Sequence, residues 1–353
     1  MAKRMLWIAQ RLHAPSILGV SLSLLLASPI AAARPAAIAT DCSRATTREE
    51  KSICTTPELR AADAAMAKAY SVLNAELPRA QQSALLSDQR RWLDLRDSMA
   101  ISPTGAPVVE SDRDLVARLL KETDERHGFL AGEGPNRAPD APRLQPVFVF
   151  VEDYGIHLVY PRIAKPRSAS ERDFNKAAQS IGTAGAPIHA PKPPPAGSNG
   201  IWHGWYHVSY VVTYLDPRLA AVVFTISDLE GDYEGAAAHP QEERESLVFD
   251  FSRGRALTMA DIIASPAQAL PDIAERCKTQ LAARPGNESW DILHADISYT
   301  VGDLAHWAPD KSGVDILFDP FSIDGNAFGF QECRLTCADL SPWLKPGGPL
   351  PPH

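Results

Sequence analysis

The sequence predicts two domains: an N-terminal all-α helical hairpin or bundle, then an α+β unit with a mainly antiparallel sheet. Three observations predict this. Apolar residues recur at helical spacing between residues 44 and 130, and alternating β-branched and aromatic runs appear after residue 200. Between them, Gly132, Gly134, Pro135, Pro139, Pro142 and Pro146 punctuate the chain as a linker does. A chain of 353 residues, 45% hydrophobic and 22% charged, is long enough for two buried cores.

Residues 1–33 read as a secretory signal. Lys3, Arg4 and Arg11 precede an apolar run from Ile17 to Leu26, and Ala31, Ala32 and Ala33 offer a small-residue exit, with Ala39 as a second possible site. The run is short and Pro29 follows it closely, so no stable membrane span is expected after cleavage. The expected location is periplasmic or secreted. Cleavage after Ala33 removes three basic residues and no carboxylate, moving the formal charge from −8 to −11. That anionic balance argues against nucleic acid as a partner and favours a cationic macromolecule.

The helical unit is expected over residues 40–130. Leu59, Asp63, Met66, Tyr70, Leu73 and Leu77 alternate spacings of four and three, placing them on one helix face. Thr56-Pro57 supplies an N-cap and a first-turn proline, and Pro78 ends the helix. A second stripe runs Leu85, Gln89, Trp92, Arg96, and a third Val116, Leu120, Thr123, His127, Leu130. Asp63 and Arg96 each sit on an otherwise apolar stripe, which predicts a partly buried salt bridge between them. After a linker at 131–146, the α+β unit spans 147–346. Its strands are marked by Val208, Tyr210, Val212, Tyr214, by Val222, Phe224, Ile226, and by Leu247, Phe249, Phe251, with Asp216-Pro217 as a turn. Helices are expected near Ala169–Ser180 and Pro266–Ala283, a surface loop over the proline-rich 182–200, and a frayed tail over 347–353.

In an exported chain the five cysteines can form disulfides. Cys42 and Cys54 are close in sequence and most simply pair; Cys277, Cys333 and Cys337 leave one pair and one thiol, with the pairing open.

No nucleophile elbow, metalloprotease helix, Ser-x-x-Lys motif or phosphate loop occurs, so neither enzyme activity nor a cofactor is expected. His203 and His207 have a helical metal-pair spacing, but the region reads as strand, so no metal site is expected. The aromatic residues there, Trp205 among them, either stack on glycan rings or pack inside the sheet. Asp228, Glu230, Asp232, Tyr233 and Glu234 form an acidic, glycine-bounded loop. It could meet a cationic protein surface, hold calcium, or simply be solvated.

The spacing Cys42, Ile53-Cys54, Leu59, Asp63, Tyr70 and Gln89-x-x-Trp92-Leu93-x-x-Arg96-Asp97 resembles the LprI-like lysozyme-inhibitor domain of bacterial envelope proteins. Ser98 and Met99 stand where many such domains place a further cysteine. The second half resembles the extracellular domain of the lysozyme-sensing anti-sigma factor RsiV. The matching residues are Tyr160-Pro161-Arg162-Ile163, Phe174-Asn175, Gly235 to Pro240, Phe249-Asp250-Phe251, Gly254-Arg255, Leu257-Thr258, Asp261-Ile262-Ile263 and Phe318-Asp319-Pro320-Phe321. An anti-sigma role is not expected, since about 15 residues precede the apolar run, too few to fold around a partner. Together the resemblances imply an exported protein that binds and inhibits a cationic lysozyme. The alternative is a peptidoglycan-binding or peptidoglycan-modifying envelope protein.

Overall fold

The computed structural model describes residues 39–98, 111–133, 138–151, 154–186, 196–197, 200, 203–230, 240–284, 292–320, 322–323 and 329–350. The expected signal segment 1–33 and most of the 182–200 loop lie outside these residues.

Four helices come first: α1 (Arg48–Thr55), α2 (Pro57–Glu76), α3 (Arg79–Ser98) and α4 (Asp112–Ala131). Helix α1, which the periodicity does not announce, starts with a capping box between Thr47 and Glu50. Pro57 opens α2 as expected, although the Thr56 side chain makes no capping bond. All six residues of the first stripe are buried. The third stripe is displaced: Leu115, Leu119, Thr123, Arg126 and Leu130 are the buried positions, while Val116 and Leu120 are only partly buried. Leu115 and Leu119 turn inward because they pack with Ile53 and Leu59 in one apolar cluster. Helix α2 lies chiefly along α4, whereas α3 leans on the sheet.

Helix α4 ends at Gly132, whose φ of 70° is left-handed. A Cβ there would stand 2.0 Å from the Leu144 carbonyl oxygen, so glycine permits the helix end to touch the first strand. That strand, β1 (Leu144–Val151), starts inside the stretch expected to be linker. Pro146 belongs to it, tolerated because β1 is an edge strand.

Next come β2 (Ile156–Ile163), α5 (Ala169–Thr183), β3 (Trp205–Leu215), β4 (Leu219–Leu229), β5 (Gln241–Asp250) and β6 (Arg255–Ala256). The six strands form one sheet in sequence order, antiparallel except for a short parallel pairing of β2 with β3. Phe251 lies just beyond β5 and packs on Phe174 of α5, their ring centroids 5.6 Å apart. The Asn175 amide clasps Ile163, accepting from its N–H (2.7 Å) and donating to its carbonyl (2.9 Å).

The chain continues through α6 (Met259–Ile262), α7 (Pro266–Ala282), α8 (Ser298–Gly302), β7 (Trp307–Asp310), β8 (Gly313–Phe318), β9 (Gln331–Thr336) and α9 (Cys337–Leu340); β7, β8 and β9 form a second antiparallel sheet. Two main cores result. One joins α2, α3, α4 and α5 to the large sheet, so the N-terminal helices share apolar packing with the strands. The other gathers α7 and the small sheet around Trp307 and Phe318. The tail is tied down as far as Leu350: Pro349 is buried and Leu350 packs against this second core, so it is not frayed there.

Cys42 pairs with Cys54, and Cys277 with Cys333, which leaves Cys337 as the half-buried free thiol. No described helix is long and apolar enough to cross a membrane.

Candidate functional site

Two groups of residues singled out by the sequence occupy different places. Asp63, Tyr70, Gln89, Trp92 and Arg96 come together inside the helical part. Gln89 donates from Nε2 toward the Met66 sulfur at 3.8 Å, and its Oε1 accepts from Arg126 Nε at 2.9 Å. Arg126 also pairs with Asp88 at 2.6 Å and lies over the rings of Trp92 (5.6 Å) and Phe129 (4.6 Å). Arg96 stacks on Trp92 as well, at 5.3 Å. This seam of guanidinium and aromatic groups between α3 and α4 is held by packing and charge together. Arg126 is its hub, and sequence reasoning missed it because His127 was placed on the stripe one position away.

The expected Asp63–Arg96 salt bridge is not formed. Asp63 accepts from the Thr40 backbone N–H at 2.7 Å, while Arg96 bonds Asp97 at 2.9 Å. The two charges feel each other through space only. Burial raises the Asp63 carboxyl above its ordinary pKa, against the opposing pull of Thr40 and Arg96. The chain before α1, fixed by the Cys42–Cys54 bridge, reaches the Asp63 carboxylate through Thr40 before Arg96 does.

The second group lies where β3 begins, β4 ends and β5 starts. Phe150, His157, His207, Ser227 and Glu242 are successive register partners from β1 to β5, so they share one face of the sheet. The rings touch in sequence: Phe150 to His157 at 4.8 Å, His157 to His207 at 5.1 Å, and His207 to Trp205 at 4.6 Å. Arg91 of α3 bonds the His157 ring and sits 5.6 Å over Phe150. Burial, then the Arg91 charge, lowers His157 to about 4; burial, then the neighbouring His157 and Arg91, lowers His207 to about 4. Both imidazoles are therefore neutral at pH 7.

Pairing of Tyr206 with Asp228 puts these two on the opposite face. The Tyr206 hydroxyl donates to the Ala184 carbonyl at 2.5 Å. Burial and the carboxylates of Glu243, Asp228 and Glu245 push it up to about 12. Asp228 is raised by burial and by Glu230, and Glu243 by burial, Asp319 and Asp228. Strand pleating thus puts Trp205 and Asp228 on opposite faces. Glu230 is exposed at the end of β4. Asp232, Tyr233 and Glu234 lie outside the described residues.

His207 contacts the rings of Trp205 and His157. Among the described residues no group of three or more His, Cys, Asp or Glu is placed to hold a metal ion.

The chain is similar to two solved structures. One, a DUF3298-family protein of Bacteroides fragilis, is 15% identical with a TM-score of 0.36, over 57% of this chain and 92% of that one. The other, a DUF3298-family protein of Pseudomonas aeruginosa PAO1, is 13% identical with a TM-score of 0.39, over 60% and 95%. No curated protein matches. The helical segment, with its Cys42–Cys54 bridge and its Gln89–Trp92–Arg126 seam, matches a known family over residues 42–126, described as Lysozyme inhibitor LprI.

Proposed function

We propose that the protein is an exported inhibitor that binds a cationic lysozyme and blocks its action on the cell wall. The match of residues 42–126 to the lysozyme-inhibitor family carries this reading. The second half's resemblance to the lysozyme-sensing domain of RsiV points the same way, as do two disulfides suited to an oxidising compartment. A formal charge of −8 and the carboxylates of Asp228, Glu230, Glu242 and Glu243 would speed encounter with a positively charged enzyme. Inhibition of this kind needs complementary shape and charge, and neither cofactor nor catalytic group.

The test is to mix the purified, oxidised protein with hen-type lysozyme and follow lysis of bacterial cell walls across a salt series. Inhibition that is strong at low salt and weaker at high salt is expected. Lysis that proceeds at full rate under micromolar excess of the folded protein, even at low salt, overturns the proposal.

A further inference from the structure

We propose that the open face of β3 around Trp205 and His207 binds an uncharged saccharide, one pyranose ring lying on the Trp205 indole. The face is covered on both flanks. On one side Arg91 of α3 lies over His157 and Phe150. On the other, the small sheet covers β4 and β5, where Val223 packs with Ala308 and Leu317, and the Thr213 hydroxyl donates to the Pro309 carbonyl. Between these flanks the strand is uncovered: Ser209 is exposed, Val211 is 58% exposed, and Trp205 and His207 are half-buried. An interior strand that leaves a valine so open has a strip of surface that the fold does not use.

The chemistry of that strip selects the ligand. The Trp205 and His207 rings stack, with centroids 4.6 Å apart and planes 30° from parallel, so the imidazole backs the indole and leaves the indole's other face for the C–H side of a sugar. Among the described residues neither the Trp205 indole N–H nor the His207 ring nitrogens have a hydrogen-bond partner, and neither is sealed from solvent. The exposed Ser209 hydroxyl and the Ser227 hydroxyl, which donates to Glu242 at 3.3 Å, complete a rim of donors and acceptors suited to hydroxyl and N-acetyl groups. Glu242 on the rim disfavours an anionic glycan, and Arg91 disfavours a cationic one. A purely apolar partner would strand the unpaired indole and imidazole groups. The inference is independent of lysozyme inhibition, and its test contains no lysozyme.

The full chain is titrated with a trimer of N-acetylglucosamine and, separately, with cellotriose, following tryptophan fluorescence and heat. Saturable binding of either, with a dissociation constant on the order of 0.1–1 mM, is expected. Trp205→Ala should weaken it at least tenfold, and the remote Trp343→Phe should leave it unchanged. If Trp205→Ala does not fold, Ser209→Glu decides. This change at an exposed position places a charge on the strip and should give a comparable loss. No binding of either probe by the wild type up to about 5 mM overturns the proposal. So does unchanged affinity in a folded Trp205→Ala protein, or in Ser209→Glu where that variant decides.

Discussion

The side-chain amide of Gln81 hydrogen-bonds both backbone groups of Phe148: Nε2 donates to the carbonyl at 2.8 Å and Oε1 accepts from the N–H at 2.9 Å. Phe148 lies on β1, the edge of the large sheet, so the amide stands in for a missing neighbour strand and fastens α3 to the sheet. Gln280 does the same for Arg334 on β9, the edge of the small sheet, at 2.8 and 3.1 Å. Gln81→Ala removes both bonds and leaves two part-buried backbone groups without their partner. It should cost about 1–3 kcal/mol, read as a lower urea midpoint. An unchanged midpoint contradicts the role.

Arg126 holds the helical seam. Arg126→Met keeps much of the apolar contact with Trp92 and Phe129 but abandons Asp88 and the Gln89 carbonyl. Loss of one partner from such a buried network should cost about 3–5 kcal/mol. The same change at Arg113, an exposed residue of α4, should be almost silent in the same melt.

The paired histidines make stability depend on pH. Each has a folded-state pKa near 4, below the ordinary 6.5, so the unfolded chain takes up protons first as pH falls. Their contribution is complete above about pH 6.5 and is lost progressively down to about pH 4. His207→Phe should flatten part of that slope. Denaturant melts at pH 7 and pH 5 of both proteins check it; equal slopes would refute the assignment. The raised carboxylates Asp228, Glu243 and Glu245 act with the opposite sign, because protonation favours their folded state.

The two disulfides should contribute unequally. The Cys42–Cys54 bridge spans 12 positions and Cys277–Cys333 spans 56. Chain-entropy arguments give about 3 kcal/mol for the shorter loop and about 4 for the longer. Cys277 and Cys333 are also fully buried, so Cys277→Ala/Cys333→Ala should lower the melting temperature more than Cys42→Ala/Cys54→Ala. Calorimetry of the two double variants decides the order.

If the carboxylates steer a cationic enzyme, Glu230→Lys with Glu242→Lys should slow association with lysozyme several-fold at low ionic strength. The difference should fade near 0.5 M salt, where charges more than about 4 Å apart are screened. Stopped-flow association rates across the salt series measure it.

Local chemistry made much of the fold legible. Helical spacing from Leu59 to Leu77, Thr56-Pro57 at the start of α2, the alternation through β3 and β4, and the Cys42–Cys54 pairing each depend on neighbours close in sequence. The family resemblance carried by Cys42 to Asp97 rested on such short-range spacing too, and the family match covers residues 42–126. β1 and β2 gave no comparable signal: β2 is buried at nearly every position, so its sequence does not alternate in polarity.

The sequence by itself determined where the longer helices and the central strands run, which cysteines are near neighbours, and that the chain is anionic. Only the tertiary structure decided that Arg126 is the hub of the seam and that Thr40 reaches Asp63 in place of Arg96. It also decided that Cys333 joins Cys277 and that Trp205 and Asp228 face opposite ways. The reason is one of distance along the chain. Burial stripes and turns are set by residues a few positions apart, whereas charge partners and strand register depend on which distant elements meet, and a register shift of one residue exchanges the faces of a whole strand.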